Sequence, residues 1–276
     1  MTIESDTVRS GARAIAPRAA LVLAAAFGSF VVSTACMRQA DASESARRAA
    51  ADDSVNASAV LAAVRGESPL ACSFTSRALE NRWGTRHHLG GPDAATLDDA
   101  QAAAFDWAMS VQSTATAIPV LRRAMSDPDA CVRRTAAQLV GRLGGRDLPD
   151  QLRPELGASD ATRRETAVLA LGYAEDTSAV AALARVAADA EPRVRRTVAW
   201  ALGRSRRSEA AIEALLRMIR DGDAMVRVNA ALSLGALSAV SAIEPLSARL
   251  SSDPDARVRR AAAAALGQID NTRSKP

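Results

Sequence analysis

Between residues 115 and 270 apolar side chains return in steps of three and four. Val132, Ala136, Val140 and Leu143 fall nine, five and one before and two after Gly141. At about 100° per residue they form one stripe, the signature of a helix with a buried face. The same frame recurs around Gly172, Gly203, Gly235 and Gly267, at spacings of 31, 31, 32 and 32. Each copy is preceded by a second helical pattern, such as TSAVAALARVAAD (177–189) or SEAAIEALLRMIRD (208–221). Strand alternation is absent from these segments. Helical hairpins repeated at this period predict an all-α solenoid, in which each unit buries its apolar face on the next.

Polar positions sharpen the frame. Twelve before each glycine stands an acid: Asp129, Asp160, Glu191, Asp223 and Asp255. Eight before it stands an arginine: Arg133, Arg164, Arg195, Arg227 and Arg259. The acid sits where the second helix of each unit begins and reads as its N-cap, with Pro192 after Glu191 suited to the first helical position. Acid and arginine four apart share a helix face, so the expectation is a carboxylate–guanidinium ladder, paired within a unit or reaching the unit next door. Four before the glycine stands alanine (Ala137, Ala199, Ala231, Ala263), except for Val168 in the second copy. With the glycine it makes a strip poor in side chains, where a neighbouring helix can come close.

The frames D-x-x-V-R-x-x-A-x-x-A-L-G ending at the five glycines resemble those of HEAT-repeat proteins, of the short bacterial type found among phycobilisome-lyase HEAT-like repeats. The resemblance implies a right-handed α-solenoid of stacked HEAT-like hairpins, lined inside by the second helices. Helices spaced 8–10 Å would make five units about 40–50 Å long. The second copy departs from the frame, with Arg163 for valine, Val168 on the small strip, and Pro149 and Pro154 in its first helix. Upstream, FDWAMS (105–110) aligns with VAWALG (198–203), with Ala102 in place of the arginine. Residues 56–114 therefore read as degenerate N-terminal helical repeats with a loop at 84–96, 115–270 as five repeats, and 271–276 as a tail.

The start of the chain has a different character. Arg9, Arg13 and Arg18 lead into the apolar run AALVLAAAFGSFVV (19–32), which ends in Ser33-Thr34-Ala35-Cys36. A basic stretch, a short apolar run and small residues make residues 1–36 a signal for export. It ends by cleavage after Ala35 or, as in bacterial lipoproteins, with Cys36 lipidated as the mature first residue and a lipid anchor in the membrane; an uncleaved anchor is the third alternative. Polar residues 37–55 suit a flexible tether. The expected location is periplasmic or membrane-anchored.

Composition changes the picture in two ways. Aromatics make up 3% of the chain against 48% hydrophobic residues overall, which favours close-packed alanine-rich helices. Of the 35 basic residues all but Lys275 are arginine, but a net charge of +4 falls short of the dense basic stripe that nucleic acid asks for.

Catalytic chemistry is sparse. His87 and His88 are the two histidines, adjacent in a Gly/Pro-containing loop. With Asp93, Asp98 and Asp99 nearby they read as solvated loop residues rather than zinc ligands. No phosphate loop occurs and no Ser-His-Asp set can be placed by spacing. No cofactor or metal is expected. Among HEAT-like enzymes, deoxyhypusine hydroxylases carry paired His-Glu motifs for a di-iron centre, and this chain has no His-Glu dipeptide. Bilin lyases leave no comparable signature to check, and HEAT-like DNA glycosylases use a basic, aromatic-lined inner surface. Cys72 and Cys131 could pair in an oxidising compartment. Aligned positions on adjacent units are about 10 Å apart, however, beyond disulfide reach, which favours two buried thiols.

The helix stripe ten, seven and three before each glycine and one after it varies between copies and is therefore free for recognition. Candidate partner-binding residues on it are Arg134, Tyr173, Arg193, Arg196, Trp200, Arg204, Met225, Val228, Leu232 and Arg260. Arginines interleaved with aromatic and apolar groups have the make-up of an interface hot spot. The alternative is that Trp200 and the Met225 row pack inside the solenoid. The expected function is a non-catalytic, exported scaffold binding an acidic or amphipathic protein segment. A lyase-like or other enzyme-associated role, and DNA binding, are the alternatives.

Overall fold

In a computed structural model the described residues are 53–66, 72, 76, 108, 116–175, 177–205 and 208–273. The signal, residues 37–52 of the tether, His87 and His88, and Cys36 lie outside them, whereas residues 53–55, read from the sequence as the end of the tether, are helical. Helix α1 covers 53–63. The first repeat is α2 (Ala117–Ala124) with α3 (Ala130–Leu143). In the second, α4 (Leu148–Gln151) and α5 (Arg153–Leu156) precede α6 (Ala161–Ala174). A 3-10 turn and α7 (Val180–Val186) then lead to α8 (Pro192–Arg204). The fourth pair is α9 (Glu209–Met218) and α10 (Ala224–Ala236). After another 3-10 turn, α11 (Ile243–Ser252) and α12 (Ala256–Arg273) complete the series. Among the described residues there is no strand, and the architecture is an α-solenoid.

The second copy shows why prolines matter in a first helix. Pro149 and Pro154 each stand at the opening of a four-residue helix, so one long first helix becomes α4 and α5. A proline cannot donate to the preceding turn but is at home in a first turn.

Successive second helices pack on one another: α3 on α6, α6 on α8, α8 on α10 and α10 on α12. The ruler glycines sit in these contacts. A methyl added at Gly141 would lie 2.2 Å from the Ala170 carbonyl oxygen, and one at Gly172 2.4 Å from the Trp200 ring. At Gly267, on the last of the five second helices, it would meet nothing within 4 Å. Leu121, Leu139, Leu171, Leu202, Leu215, Leu234 and Leu246 are fully buried between first and second helices. They belong to one apolar cluster running from Ala57 to Ile269, so the units share a core. No described helix is long and apolar enough to cross a membrane.

Candidate functional site

The carboxylates at the helix starts act as caps. Asp129 Oδ1 accepts from the amides of Cys131 (2.8 Å) and Val132 (3.0 Å), and Asp223 Oδ1 from Met225 (2.9 Å) and Val226 (3.0 Å). Asp160 accepts from Thr162 N and Asp255 from Arg257 N, both at 2.8 Å. Glu191 makes no side-chain cap, and Pro192 stands at the first helical position.

The arginines do not pair with these caps, which corrects the expected ladder. Arg164 Nε and Nη2 donate to Asp189 at 2.7 and 2.9 Å, Arg195 to Asp221 at 2.8 Å twice, and Arg227 to Asp253 at 2.9 and 2.8 Å. Each acid belongs to the following unit and stands two residues before that unit's cap residue. The third nitrogen of each arginine, Nη1, donates to two backbone carbonyls of its own unit: Ala158 and Ser159, Asp189 and Ala190, or Asp221 and Gly222. In turn Asp189, Asp221 and Asp253 accept the amide two residues on, from Glu191, Asp223 and Asp255. In all three rungs, including the one beside Glu191, which makes no cap, the guanidinium fork reaches outward to the carboxylate of the neighbouring loop. Hydrogen bonding from the guanidinium, above all, holds Asp189, Asp221 and Asp253 below their ordinary carboxyl value, against a smaller opposing effect of burial.

At the N-terminal end Arg65, just after α1, takes the same part. It donates to both oxygens of Asp127, at 3.1 and 2.7 Å, and the Gly66 amide donates to Asp129. The ladder departs from its pattern at two arginines. Arg133 and Arg259 make the carbonyl bonds, to Asp127 and Pro128 and to Asp253 and Pro254, but their forks meet no carboxylate among the described residues. For Arg133 the reason is in the sequence, because the equivalent of Asp189 in the second unit is Ala158.

Cys72 and Cys131 are joined in a disulfide, with Cα atoms 5.6 Å apart. This corrects the expectation of two separate thiols. The 10 Å spacing applies to aligned positions on adjacent second helices, and Cys72 is not at such a position. Four residues further on, Ser76 is buried against α3 and α6. Its hydroxyl donates to Gln138 Oε1 (3.1 Å) and lies 3.2 Å from the Tyr173 hydroxyl, and Gln138 Nε2 donates to the Ser76 carbonyl at 2.9 Å. Gln138 is wholly buried, and this pairing satisfies it.

These side chains border a cavity of about 540 Å³ lined by Ser76, Arg133, Arg134, Leu169, Tyr173, Arg196 and Trp200 among others. The second helices α3, α6, α8 and α10 supply its other lining groups, from Ala130 to Asn229. Tyr173 and Trp200 meet edge to face with centroids 5.1 Å apart. The Arg204 guanidinium lies 5.2 Å from each ring centroid and pairs with Glu175. Glu165 is engaged by the Thr197 hydroxyl (3.2 Å) and by Arg193 (3.7 Å), and Arg193 also donates to Thr162 Oγ1 (3.1 Å). Among the described residues the guanidiniums of Arg134 and Arg196 make neither a hydrogen bond nor an ion pair.

The structure thus gathers Arg134, Tyr173, Arg196 and Trp200 around one cavity. Tyr173 is 9% exposed and Trp200 half-buried, so the aromatic pair is partly core and partly lining. Arg193 and Arg204 are tied to neighbours beside it. Met225 and Val228 are half-buried on α10, Leu232 is 41% exposed further along the same helix, and Arg260 is exposed on α12. None of these last four lines the cavity. Sequence reasoning passed over Ser76, whose segment follows no repeat frame. It also passed over the rung acids Asp127, Asp189, Asp221 and Asp253, although an aspartate fourteen before the glycine recurs in four of five copies.

Residues 149–224 and 212–276 match the family model described as HEAT repeats, and residues 117–145 match that described as HEAT repeat. Among solved structures, the crystal structure of an engineered protein is 16% identical, with 73% of this chain and 87% of that one covered and a TM-score of 0.41. Human deoxyhypusine hydroxylase in complex with glycerol is 21% identical, with 82% and 99% covered and a TM-score of 0.36. No curated protein matches the chain.

Proposed function

From the premise that the chain belongs to the HEAT-repeat proteins, we propose that it is a non-catalytic scaffold that captures another protein on the face formed by its second helices. The observation that carries this reading is the cavity between α3 and α10. Two guanidiniums without partners among the described residues, Arg134 and Arg196, flank an aromatic pair and Leu169, which suits a segment offering both acidic and apolar groups. The other polar lining groups are largely engaged with one another, as in Ser76–Tyr173 and Glu165–Thr197. What the site presents for recognition is therefore charge and apolar surface.

Export is part of the proposal. The Cys72–Cys131 bridge supports it, since disulfides persist in oxidising compartments. The basic-then-apolar start of the chain points the same way, with Cys36 as a lipidation candidate, and mass spectrometry of the mature first residue tests that part.

The docking reading is tested by crosslinking and pulldown from the native envelope with the full mature chain and with an Arg196→Ala/Trp200→Ala double variant. The expected result is a partner retained by the parent chain and lost from the variant at unchanged helicity. Equal capture by both chains would reject the site. Retention on DNA that weakens steeply with salt would replace it with a nucleic-acid reading.

A further inference from the structure

The interrupted ladder says what belongs in the gap. At three successive boundaries the chain builds one device: an arginine with Nη1 on two carbonyls of its own loop, and Nε with Nη2 on the carboxylate of the next loop at 2.7–2.9 Å. Arg133 is held the same way, its Nη1 donating to the Asp127 and Pro128 carbonyls at 2.6 and 2.7 Å. Its fork is thus aimed at the boundary between the first and second units, where Ala158 supplies no carboxylate. Asp127, the acid at the rung position of its own unit, is engaged by both Nη atoms of Arg65. Unlike the arginines of the three closed rungs, Arg133 lines the 540 Å³ cavity, together with Arg134, Thr162 and the Tyr173–Trp200 pair.

We propose that the Arg133 fork, left without a rung acid by Ala158, is a carboxylate subsite that receives an aspartate or glutamate side chain of the bound protein segment. The partner supplies from outside the rung that the chain's own loops supply at the later boundaries. Arg134 adds a second positive charge beside it, while Leu169 and Trp200 meet the apolar residues that flank the acid. This rests on the docking function proposed above and specifies the chemistry of what docks. A planar fork held by two backbone carbonyls is pre-oriented for a bidentate carboxylate, so little side-chain freedom is lost on binding.

The probe is a capped peptide copying residues 251–257, Ser-Ser-Asp-Pro-Asp-Ala-Arg, the loop that closes the Arg227 rung within the chain. It is titrated into the full mature, ¹⁵N-labelled chain while the arginine Nε–Hε and Trp200 indole signals are followed by NMR. Saturable movement of the Arg133 signal is expected, with affinity at least tenfold weaker for the peptide whose first aspartate is asparagine. Ala158→Asp, which closes the rung internally, is expected to abolish the response and to raise the melting temperature, which also shows that this variant folds. Arg133→Lys keeps the charge without the fork and is expected to bind at least tenfold more weakly. Equal binding of the aspartate and asparagine peptides, or undiminished binding by folded Ala158→Asp, overturns the subsite. The two readings fail separately: a partner lost from Arg196→Ala/Trp200→Ala but fully retained by Ala158→Asp keeps the scaffold and removes the carboxylate rung.

Discussion

Asp253 has the most shielded carboxylate of the ladder, with a side chain 0% exposed against an Arg227 side chain 9% exposed. It accepts from Arg227 through both oxygens, from the Asp255 amide, and at 3.5 Å from Arg249. Removing one member of so buried a pair leaves the other charge uncompensated, so Asp253→Asn is expected to cost about 3 kcal/mol, read as a lower urea midpoint. The rungs also set the acid limit of the fold. The Asp189, Asp221 and Asp253 carboxyls are held below their ordinary value of 3.8, chiefly by the hydrogen bonds from their arginines. In this pH range the unfolded chain binds more protons at these groups than the folded chain does. Their contribution is therefore complete above about pH 4 and is lost as pH falls through the lowered values. Melting temperature followed from pH 7 down to pH 2 should stay level with respect to these groups and then drop below about pH 4, less steeply in Asp253→Asn. The ladder was half legible at this scale. The arginines and caps stand out in the repeat, which predicts pairing with the cap acids, within a unit or with the unit next door. The structure makes it from Arg164, Arg195 and Arg227 on their second helices to different acids, in the loop of the next unit.

At the scale of the helices, one position in the repeat carries opposite consequences along the stack. Gly141→Ala would press a methyl to 2.2 Å from the Ala170 carbonyl oxygen on α6, which has to move with its helix. A loss of roughly 2 kcal/mol is expected from such overpacking. Gly267→Ala on α12 meets nothing within 4 Å, and replacing a helical glycine by alanine should add up to about 1 kcal/mol. Thermal melts of the two variants should therefore move in opposite directions. The glycine spacing announced the stack in the sequence. Which copy of the glycine lacks a neighbour depends on what lies across from it, and that is a property of the assembled helices.

For the whole molecule, the apolar cluster from Ala57 to Ile269 gives the repeats one continuous core, and the disulfide ties residue 72 to α3 across 59 residues. Closing a loop of that length lowers the entropy of the unfolded chain by an amount worth about 4 kcal/mol. Cys72→Ser/Cys131→Ser is expected to lose much of it, seen as a lower melting temperature that reductant no longer changes. The parent chain should fall to the same level when reduced. The same bridge holds the segment bearing Ser76 against Gln138 and Tyr173, so the double serine variant should also weaken capture at the cavity in the envelope pulldown.

The sequence alone determined the all-α repeat and its period, the capping aspartates Asp129, Asp160, Asp223 and Asp255, and the close-approach glycines at 141, 172, 203 and 235. These follow from periodicity and from backbone chemistry, which act over a few residues and repeat with the unit. Only the tertiary structure decided which acid each arginine grips, that Cys72 meets Cys131, and that Ser76 closes onto Gln138 and Tyr173. Those contacts join groups 25 to 97 residues apart, and distance through space between such groups is set by how whole units stack.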